Sequence, residues 1–318
     1  MLLVAAIAIS LSESFGGSLP SWQEIYTACG LHAEEKTPAW QNAAIQESAT
    51  KIHFINVGQA DATLIEQNGE FCLIDAGAAG SRDALLTYLD AAGVKMLKLL
   101  VMTHEHTDHI GSMANVLEHC EVQQVLLPDF TNAESPNGYT ILRTLELIDL
   151  QGIPEVTAAP GQTFSIGDGT LTVLSSGIPT TEKNNTSIVV LFEAEGLRVL
   201  LCGDAEEAET SLLRENGTDV HAQLYKAAHH GASDANTQAW LGAIRPQTVI
   251  VSCGLDNSFG HPQPNALKAF ESVGAQVYRT DQNGSIIAWV DAEGALQITP
   301  QRQLADESEG AQQERAAA

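Results

Sequence analysis

A dense group of metal-binding residue types follows an apolar segment early in the chain. Four such residues fall within six consecutive positions: His104, His106, Asp108 and His109. They come directly after the hydrophobic stretch 97–102. Imidazole and carboxylate groups hold zinc, manganese or iron in catalytic sites that keep a coordination position open. A polar loop with incidental histidines is the plainer interpretation, but so many ligand types entered from an apolar strand favour a metal site.

The surrounding pattern predicts short strands that are later interleaved with helices. Residues 52–57, 62–66 and 71–74 are predicted strands, with Asn68-Gly69 as a hairpin turn between the last two. Further along, apolar runs alternate with helical periodicity as far as residue 290. Strands that arrive first in hairpins and then between helices predict two sheets with helices outside them.

The charge balance restricts the partners that this chain can bind. Fifteen Lys and Arg residues face 40 Asp and Glu residues, which gives a formal net charge of −25. Such a field favours solubility and repels polyanions at long range. No Lys or Arg occurs between Lys98 and Arg143, the region that contains the histidine cluster. A stable complex with nucleic acid is therefore not expected, because such binding needs a basic track.

The composition predicts one central domain with irregular ends. Residues 1–50 are predicted to be a leader or linker, 51–300 the domain, and 301–318 a disordered tail. The apolar run 1–11 suits a signal-peptide core, but no basic residue precedes it and no clear cleavage site follows it. It is a signal or anchor remnant, or a plain helix. An exported or cell-surface location is slightly favoured over the cytoplasm.

The five cysteines exclude two classes of protein. They are scattered, odd in number and without C-x-x-C spacing. Neither a disulfide framework nor a structural zinc knuckle fits this arrangement.

Several motifs together resemble one family. T-H-E-H-T-D-H-I-G-S at 103–112 is similar to the H-x-H-x-D-H signature of the metallo-β-lactamase superfamily. Segments 55–61, 73–77, 201–204 and 229–233 resemble, in the same order, the soluble hydrolase domain of the ComEC-type competence DNA-uptake protein. The resemblance implies a single-domain α/β fold, a four-layer αββα sandwich. It covers only the soluble module, so no transmembrane channel is expected in this chain.

The resemblance also implies a binuclear metal site. His104 and His106 would bind one ion, and Asp108 and His109 the other. Asp204, which follows the apolar run 197–201, would bridge the two ions. A helix N-cap is the structural alternative for Asp204. Two divalent ions are expected, Zn²⁺ first and Mn²⁺ as the alternative.

Three further histidines are carried over from the family motifs. His230 is the implied ligand of the second ion, with His229 facing the substrate, although the sequence alone allows the pair to be swapped. His261 either contacts the scissile group or donates a proton, or it is an ordinary loop histidine.

The remaining implied positions are polar partners of these ligands. Asp75 occupies the place of an acidic residue that supports a ligand histidine, with a plain turn aspartate as the equal alternative. Asn184 and Asn185 stand where many superfamily members have another metal-binding histidine. The first ion is therefore expected to have a weaker amide or water ligand and to be lost easily.

The implied chemistry is hydrolysis by a metal-bound hydroxide, oriented by Asp108 and assisted by His229 and His261. The family branch favours a phosphodiesterase that acts on single-stranded DNA or on a small phosphoester. Two alternatives stay open. One is a hydrolase of the same fold that acts on a lactone, a thioester or a β-lactam. The other is a non-catalytic binding module.

Overall fold

The computed structural model describes residues 42–130 and 138–302. Its strands, in chain order, are β1 (Thr50–Phe54), β2 (Thr63–Gln67), β3 (Glu70–Ile74), β4 (Met96–Leu97), β5 (Leu99–Val101), β6 (Glu121–Val122), β7 (Val125–Leu127), β8 (Glu155–Thr157), β9 (Thr163–Ile166), β10 (Gly169–Ser176), β11 (Ile188–Ala194), β12 (Leu197–Leu201), β13 (Leu224–Lys226), β14 (Thr248–Val251), β15 (Gln276–Arg279), β16 (Ile286–Val290) and β17 (Leu296–Pro300). Its helices are α1 (Ala43–Glu47), α2 (Arg82–Ala91), α3 (Thr107–Ile110), α4 (Met113–His119), α5 (Tyr139–Gln151), α6 (Glu207–Glu215), α7 (Gln238–Ile244), α8 (Pro264–Ser272) and α9 (Thr280–Asn283).

The predictions for the two ends fall mostly outside these residues. The apolar run 1–11, the greater part of the leader and the tail from residue 303 lie beyond the described ranges. Among the described helices, none is long and apolar enough to cross a bilayer.

The described strands form two large sheets. One has the order β17-β16-β1-β2-β3-β5-β7-β8, and the other β15-β14-β13-β12-β11-β10-β9. In the first, β3, β5, β7 and β8 run parallel to one another. In the second, β12, β13, β14 and β15 do the same. Each sheet therefore has a parallel part whose strand ends lie on one edge, where open α/β folds place their ligands.

Three apolar cores separate the layers. The middle core joins the inner faces of the two sheets, with Ile52 from the first and Phe192 from the second. A second core packs helix residues such as Leu85 against the outside of the first sheet. A third packs Trp240 and Phe270 against the outside of the second sheet. The order helix, sheet, sheet, helix confirms the predicted four-layer αββα sandwich.

Strand β11 illustrates how the sequence builds these layers. Almost every residue along it is buried. Val190 and Phe192 enter the middle core, whereas Val189 and Leu191 enter the outer one. Successive side chains of a strand point to opposite faces, so a strand covered on both sides must be apolar throughout.

The hairpin prediction is confirmed, and some elements differ from expectation. Asn68 and Gly69 have positive φ of 50° and 77°, as a tight turn between β2 and β3 requires. Helix α1 lies in the segment predicted to be irregular, and it buries Ile45. Strand β17 pairs with β16 beyond the last predicted strand.

Candidate metal centre

Loops from both sheets meet at the carboxyl ends of their parallel strands. Asp75 follows β3, and the cluster that begins at His104 follows β5. From the second sheet, Asp204 follows β12, and His229 and His230 follow β13. The two sheets must approach closely for these loops to meet. At Gly203, with φ +51°, an added Cβ would lie 2.9 Å from the Cβ of Thr103, so glycine permits this approach just before Asp204.

The first donor group consists of His104, His106 and Asp204. Their potential ligand atoms lie within 4.8 Å of one another. The Nε2 atom of His104 is 3.1 Å from Nδ1 of His106 and 3.8 Å from Oδ2 of Asp204. His104 and Asp204 are buried, and His106 is partly exposed. The structure thus brings together three of the residues predicted to hold the first ion.

The second donor group consists of Asp61, His109, Asp204 and His230, whose ligand atoms also lie within 4.8 Å of one another. Nε2 of His109 is 3.2 Å from Oδ1 of Asp204, and Nε2 of His230 is 3.8 Å from Oδ2 of the same carboxylate. Asp204 therefore belongs to both groups, the position that a bridging ligand would take.

Unpartnered buried atoms indicate that this cluster suits cations. Oδ1 of Asp61 is buried without a hydrogen-bond partner, and Nε2 of His109 and Oδ1 of Asp204 face each other at 3.2 Å without the geometry of a hydrogen bond. Buried polar atoms without partners are costly, and a cation held among them would remove that cost. The mixed imidazole and carboxylate donors fit a divalent metal of the zinc or manganese type.

Asp108 lies at the edge of the second group. Its Oδ2 is 3.2 Å from Nε2 of His230, and its side chain is 35% exposed. Among the carboxylates predicted for the site, Asp108 is the most exposed, whereas Asp75 and Asp204 are buried.

Asp75 contacts the ring nitrogen of His109 that faces away from Asp204. Its Oδ1 accepts a hydrogen bond from the backbone N–H of Thr103 (2.9 Å), and its Oδ2 accepts one from Thr103 Oγ1 (2.7 Å). The same Oδ2 lies 2.7 Å from Nδ1 of His109. The carboxylate therefore holds the ring with its Nε2 towards Asp204, as a supporting partner does.

His229 and His230 occupy different environments despite their adjacency. Both have left-handed backbones, with φ of 48° and 52°, a strained conformation that recurs at functional sites. His230 is buried, and its Nδ1 lies 3.0 Å from the carbonyl oxygen of Ser252. The His229 side chain is 24% exposed, with Nδ1 3.4 Å from Oε1 of Glu206. His230 belongs to the second donor group, whereas the more exposed His229 belongs to neither group, although its Nε2 is also 3.8 Å from Oδ2 of Asp204.

His261 lies beside the two adjacent histidines, His229 and His230. Its ring centroid is 5.4 Å from that of His229 and 6.2 Å from that of His230. Its Nδ1 is 3.4 Å from Nε2 of Gln59. Burial, together with the nearby rings of His229 and His230, lowers the pKa of His261 to about 4. The ring is therefore neutral at neutral pH.

The two asparagines in the place of a further histidine are held by one carboxylate. Asn184 Nδ2 donates to Oε1 of Glu206 (2.7 Å), and Asn185 Nδ2 donates to Oε2 (3.0 Å). The Asn185 Oδ1 atom accepts the Glu206 backbone N–H at 3.0 Å, whereas Asn184 Oδ1 is buried without a partner. Of the two predicted weak ligands, Asn184 keeps an uncommitted oxygen.

Neighbouring charges shift the pKa values of the donors in opposite directions. Burial and the nearby His109 lower the pKa of His104 well below its ordinary value, so the ring is neutral and one of its nitrogens has a lone pair to offer. Burial also acts to lower the pKa of His109, but the carboxylates of Asp204 and Asp75 raise it well above the ordinary value. Burial opposes ionisation of Asp204, yet His109 and His230 hold its pKa well below the usual range. The buried carboxylate is therefore ionised.

Three residues near the site, Asp61, Glu206 and Lys226, were not predicted from the sequence. Lys226 is buried and paired with Asp61. Asp61 was visible as the last residue of the 55–61 motif, and Lys226 as the basic residue preceding the histidine pair. Glu206 had no comparable signal, because its partners Asn184 and Asn185 are distant in sequence.

Comparison with curated proteins shows that the chain is similar to part of several competence proteins. It is 28% identical over 259 residues to ComE operon protein 3 of Bacillus subtilis, a match that covers 75% of this chain and 33% of that protein. It is 24% identical over 261 residues to Competence protein ComA of Neisseria gonorrhoeae, covering 78% of this chain and 33% of the relative. The match thus spans about a third of the length of these relatives, and the predicted resemblance to the ComEC-type branch is confirmed.

Solved structures share the fold at low sequence identity. The metallo-β-lactamase fold protein YhfI of Bacillus subtilis superposes with a TM-score of 0.51 at 14% identity, over 72% of this chain and 96% of that one. Igni18, a metallo hydrolase from the archaeon Ignicoccus hospitalis, gives a TM-score of 0.50 at 16% identity, over 75% of this chain and 98% of its own. The profile of the Metallo-beta-lactamase superfamily matches residues 55–254, more than half of the sequence. The chain therefore belongs to the metallo-β-lactamase superfamily.

Proposed function

We propose that this protein is a metal-dependent phosphodiesterase with a binuclear centre. The observation that carries the proposal is the presence of two donor groups that share the buried carboxylate of Asp204. Residues arranged in this way would hold two divalent ions, which would supply the charge stabilisation that the displacement at a phosphodiester needs.

The proposed ligands come from the two donor groups, together with Asp108 at the edge of the second group. His104, His106 and Asp204 would hold one ion. His109, Asp204 and His230, with Asp108 at the mouth, would hold the other. When bound there, divalent ions lower the pKa of a coordinated water and offset negative charge in the transition state. Zn²⁺ is the expected metal, and a first group with only two nitrogens also suits Mn²⁺.

The protein's own side chains would orient a ligand and the attacking water and would protonate the leaving group. Asp75 fixes the ring of His109, so that its Nε2 is presented to the centre. Asp108, with an exposed carboxylate at the mouth, is placed to accept a hydrogen bond from the attacking water. His229 stands at the rim beside Glu206, where it can donate to a substrate oxygen or to the leaving group.

The electrostatics favour a small substrate over a long polyanion. Lys183 lies near the centre, but its Nζ is 2.6 Å from Oε1 of Glu105, and Lys226 is committed to Asp61. The net charge of −25 opposes the approach of a nucleic-acid chain. The competence relatives still support a phosphodiester bond as the target, in single-stranded DNA or in a small ester.

One set of assays tests the proposal. The purified protein, loaded with Mn²⁺ or Zn²⁺, is compared on bis-p-nitrophenyl phosphate, single-stranded DNA at low salt, and nitrocefin, with Asp204→Asn as the inactive control. We expect turnover of the phosphodiester that depends on metal and is abolished in the control. Turnover of nitrocefin alone would support the β-lactam alternative. No turnover of any substrate by a metal-loaded protein would support the binding module.

A further inference from the structure

Asp61 is a buried carboxylate whose backbone ties two parts of the site together. It lies in the loop between β1 and β2 and is only 4% exposed. Its backbone N–H donates to the carbonyl oxygen of Asp108 (3.1 Å), and its carbonyl oxygen accepts from the N–H of Gly77 (2.7 Å). Both bonds anchor the residue to segments that carry site residues, so its side chain has a fixed origin.

The two oxygens of the Asp61 carboxylate have different surroundings. Oδ2 pairs with Nζ of Lys226. Oδ1 is buried and has no hydrogen-bond partner. The carboxylate lies in the donor group with His109, Asp204 and His230. An unpaired anionic oxygen among buried ligand atoms is costly unless a cation neutralises it.

Lys226 is placed to hold the carboxylate without competing for a metal. It is 3% exposed at the end of β13, and its Nζ also donates to the carbonyl oxygen of Ala227 at 2.9 Å. A protonated lysine has no lone pair to offer a metal. It therefore engages one oxygen of Asp61 and leaves the other free.

Three buried carboxylates lie close to the donor groups. Asp61, Asp75 and Asp204 are 4%, 2% and 2% exposed. Lys226 pairs with Asp61, whereas Asp75 and Asp204 both face His109, at 2.7 Å and 3.2 Å. A buried ion pair kept only for stability gives little, since apolar replacements often serve as well. Buried carboxylates beside imidazole donors suit a divalent cation.

We propose that Asp61 is a direct ligand of the second metal ion and that Lys226 is the residue that positions it. The proposal rests on the binuclear centre put forward above and adds a ligand from the first sheet. The second ion then has Asp61, His109, Asp204 and His230 around it.

Metal binding itself tests the assignment. The metal-free protein is titrated with Mn²⁺, and the free ion is followed by electron paramagnetic resonance. Wild type should bind two ions. In Asp61→Asn the affinity for one ion should fall by about 100-fold, since changes in outer partners alone cost roughly 10- to 100-fold. Lys226→Met should cause a smaller loss of about 10-fold, because the ligand remains but is no longer held.

A double variant separates ligation from folding. Asp61→Asn combined with Lys226→Met removes the ion pair without leaving a buried lone charge. A purely structural pair predicts that the double variant regains wild-type affinity, whereas a ligand predicts that one ion stays weak. Glu66→Gln is the matched control, because it breaks the Lys51–Glu66 pair (2.6 Å) elsewhere on β1 and β2 and should leave both affinities unchanged.

The outcomes distinguish the two proposals. Wild type that binds fewer than two ions would overturn the binuclear centre and the assignment with it. Two ions bound by wild type, and equally well by Asp61→Asn or by the double variant, would overturn the assignment alone.

Discussion

The two donor groups differ most in the hydrogen-bond partners of their histidine rings. In the second group, His109 is backed by Asp75 at 2.7 Å and His230 by the carbonyl of Ser252 at 3.0 Å. In the first group, Nδ1 of His104 has only longer contacts, 3.2 Å to Thr103 Oγ1 and 3.4 Å to Ser187 Oγ. Outer partners fix ring orientation and raise ligand basicity. We therefore expect the second group to be the better-organised metal site.

The first group also has fewer donor residues, three against the four of the second. The amides of Asn184 and Asn185 point their donors at Glu206 instead of offering an imidazole. An amide oxygen is a weaker ligand than imidazole for zinc. We therefore expect the centre to combine a firmly held ion with an exchangeable one.

Removing the shared carboxylate should abolish metal binding by both donor groups. Asp204→Asn takes an anionic ligand from both groups, and we expect both ions to be lost. Phosphodiesterase activity should then fall by about 10³-fold or more. Turnover and metal content of the same sample would measure this. A variant that keeps two ions and full activity would mean that Asp204 bridges nothing.

Deleting one histidine from each group should separate them. His109→Ala should weaken the tighter ion by about 100-fold, whereas His106→Ala should affect the looser ion and leave the tighter one bound. Titration with a chelator, followed by metal analysis, gives both affinities. Equal losses of the same ion in the two variants would contradict the distinction between the groups.

Changing Asp75, the hydrogen-bond partner of His109, should weaken the second metal site without removing one of its ligands. In Asp75→Asn, the Nδ2 amide would replace the oxygen that faces Nδ1 of His109. Donor would then face donor, which favours the wrong tautomer with a proton on Nε2. Affinity for the tighter ion should fall by about 10- to 100-fold. Calorimetry measures this, and an unchanged affinity would make Asp75 an ordinary turn residue.

Replacing Glu209, a buried acid outside the metal centre, should have the smallest effect on function. Burial raises the pKa of Glu209 to about 8 from its ordinary 4.5, despite its hydrogen bond with Ser175. Between these values the folded state binds more protons than the unfolded state, so the free energy of unfolding falls as pH rises. The slope is on the order of 1.4 kcal/mol per pH unit. Urea unfolding of Glu209→Gln at pH 5 and pH 8 should show a flatter dependence, with activity unchanged. An equal slope in wild type and variant would contradict the assignment.

Local motifs allowed much of the fold and centre to be predicted. His104 and its neighbours are close in sequence and follow the apolar strand β5, so their meeting requires no knowledge of the fold. The Asn68-Gly69 turn carries its own conformational signal. Edge strand β9 was missed because most of its residues are partly or fully exposed, which leaves no clear pattern.

The missed residues depend on contacts between the sheets. Asp61 and Lys226 are separated by 165 positions and meet only because the β1–β2 loop faces the end of β13. The choice between His229 and His230 likewise needed the backbone, whose left-handed turn sends adjacent rings to different places. The spacing of these residues along the chain predicts neither the Asp61–Lys226 contact nor the different environments of His229 and His230.

The most direct test of the central claim is a measurement of metal content during stepwise chelation. We predict that each chain binds two divalent ions after loading, with one removed at low chelator concentration and the other retained. In His109→Ala the retained ion should disappear, and in His106→Ala it should persist. A chain that binds a single ion, or that releases two ions together, would contradict a binuclear centre with unequal halves.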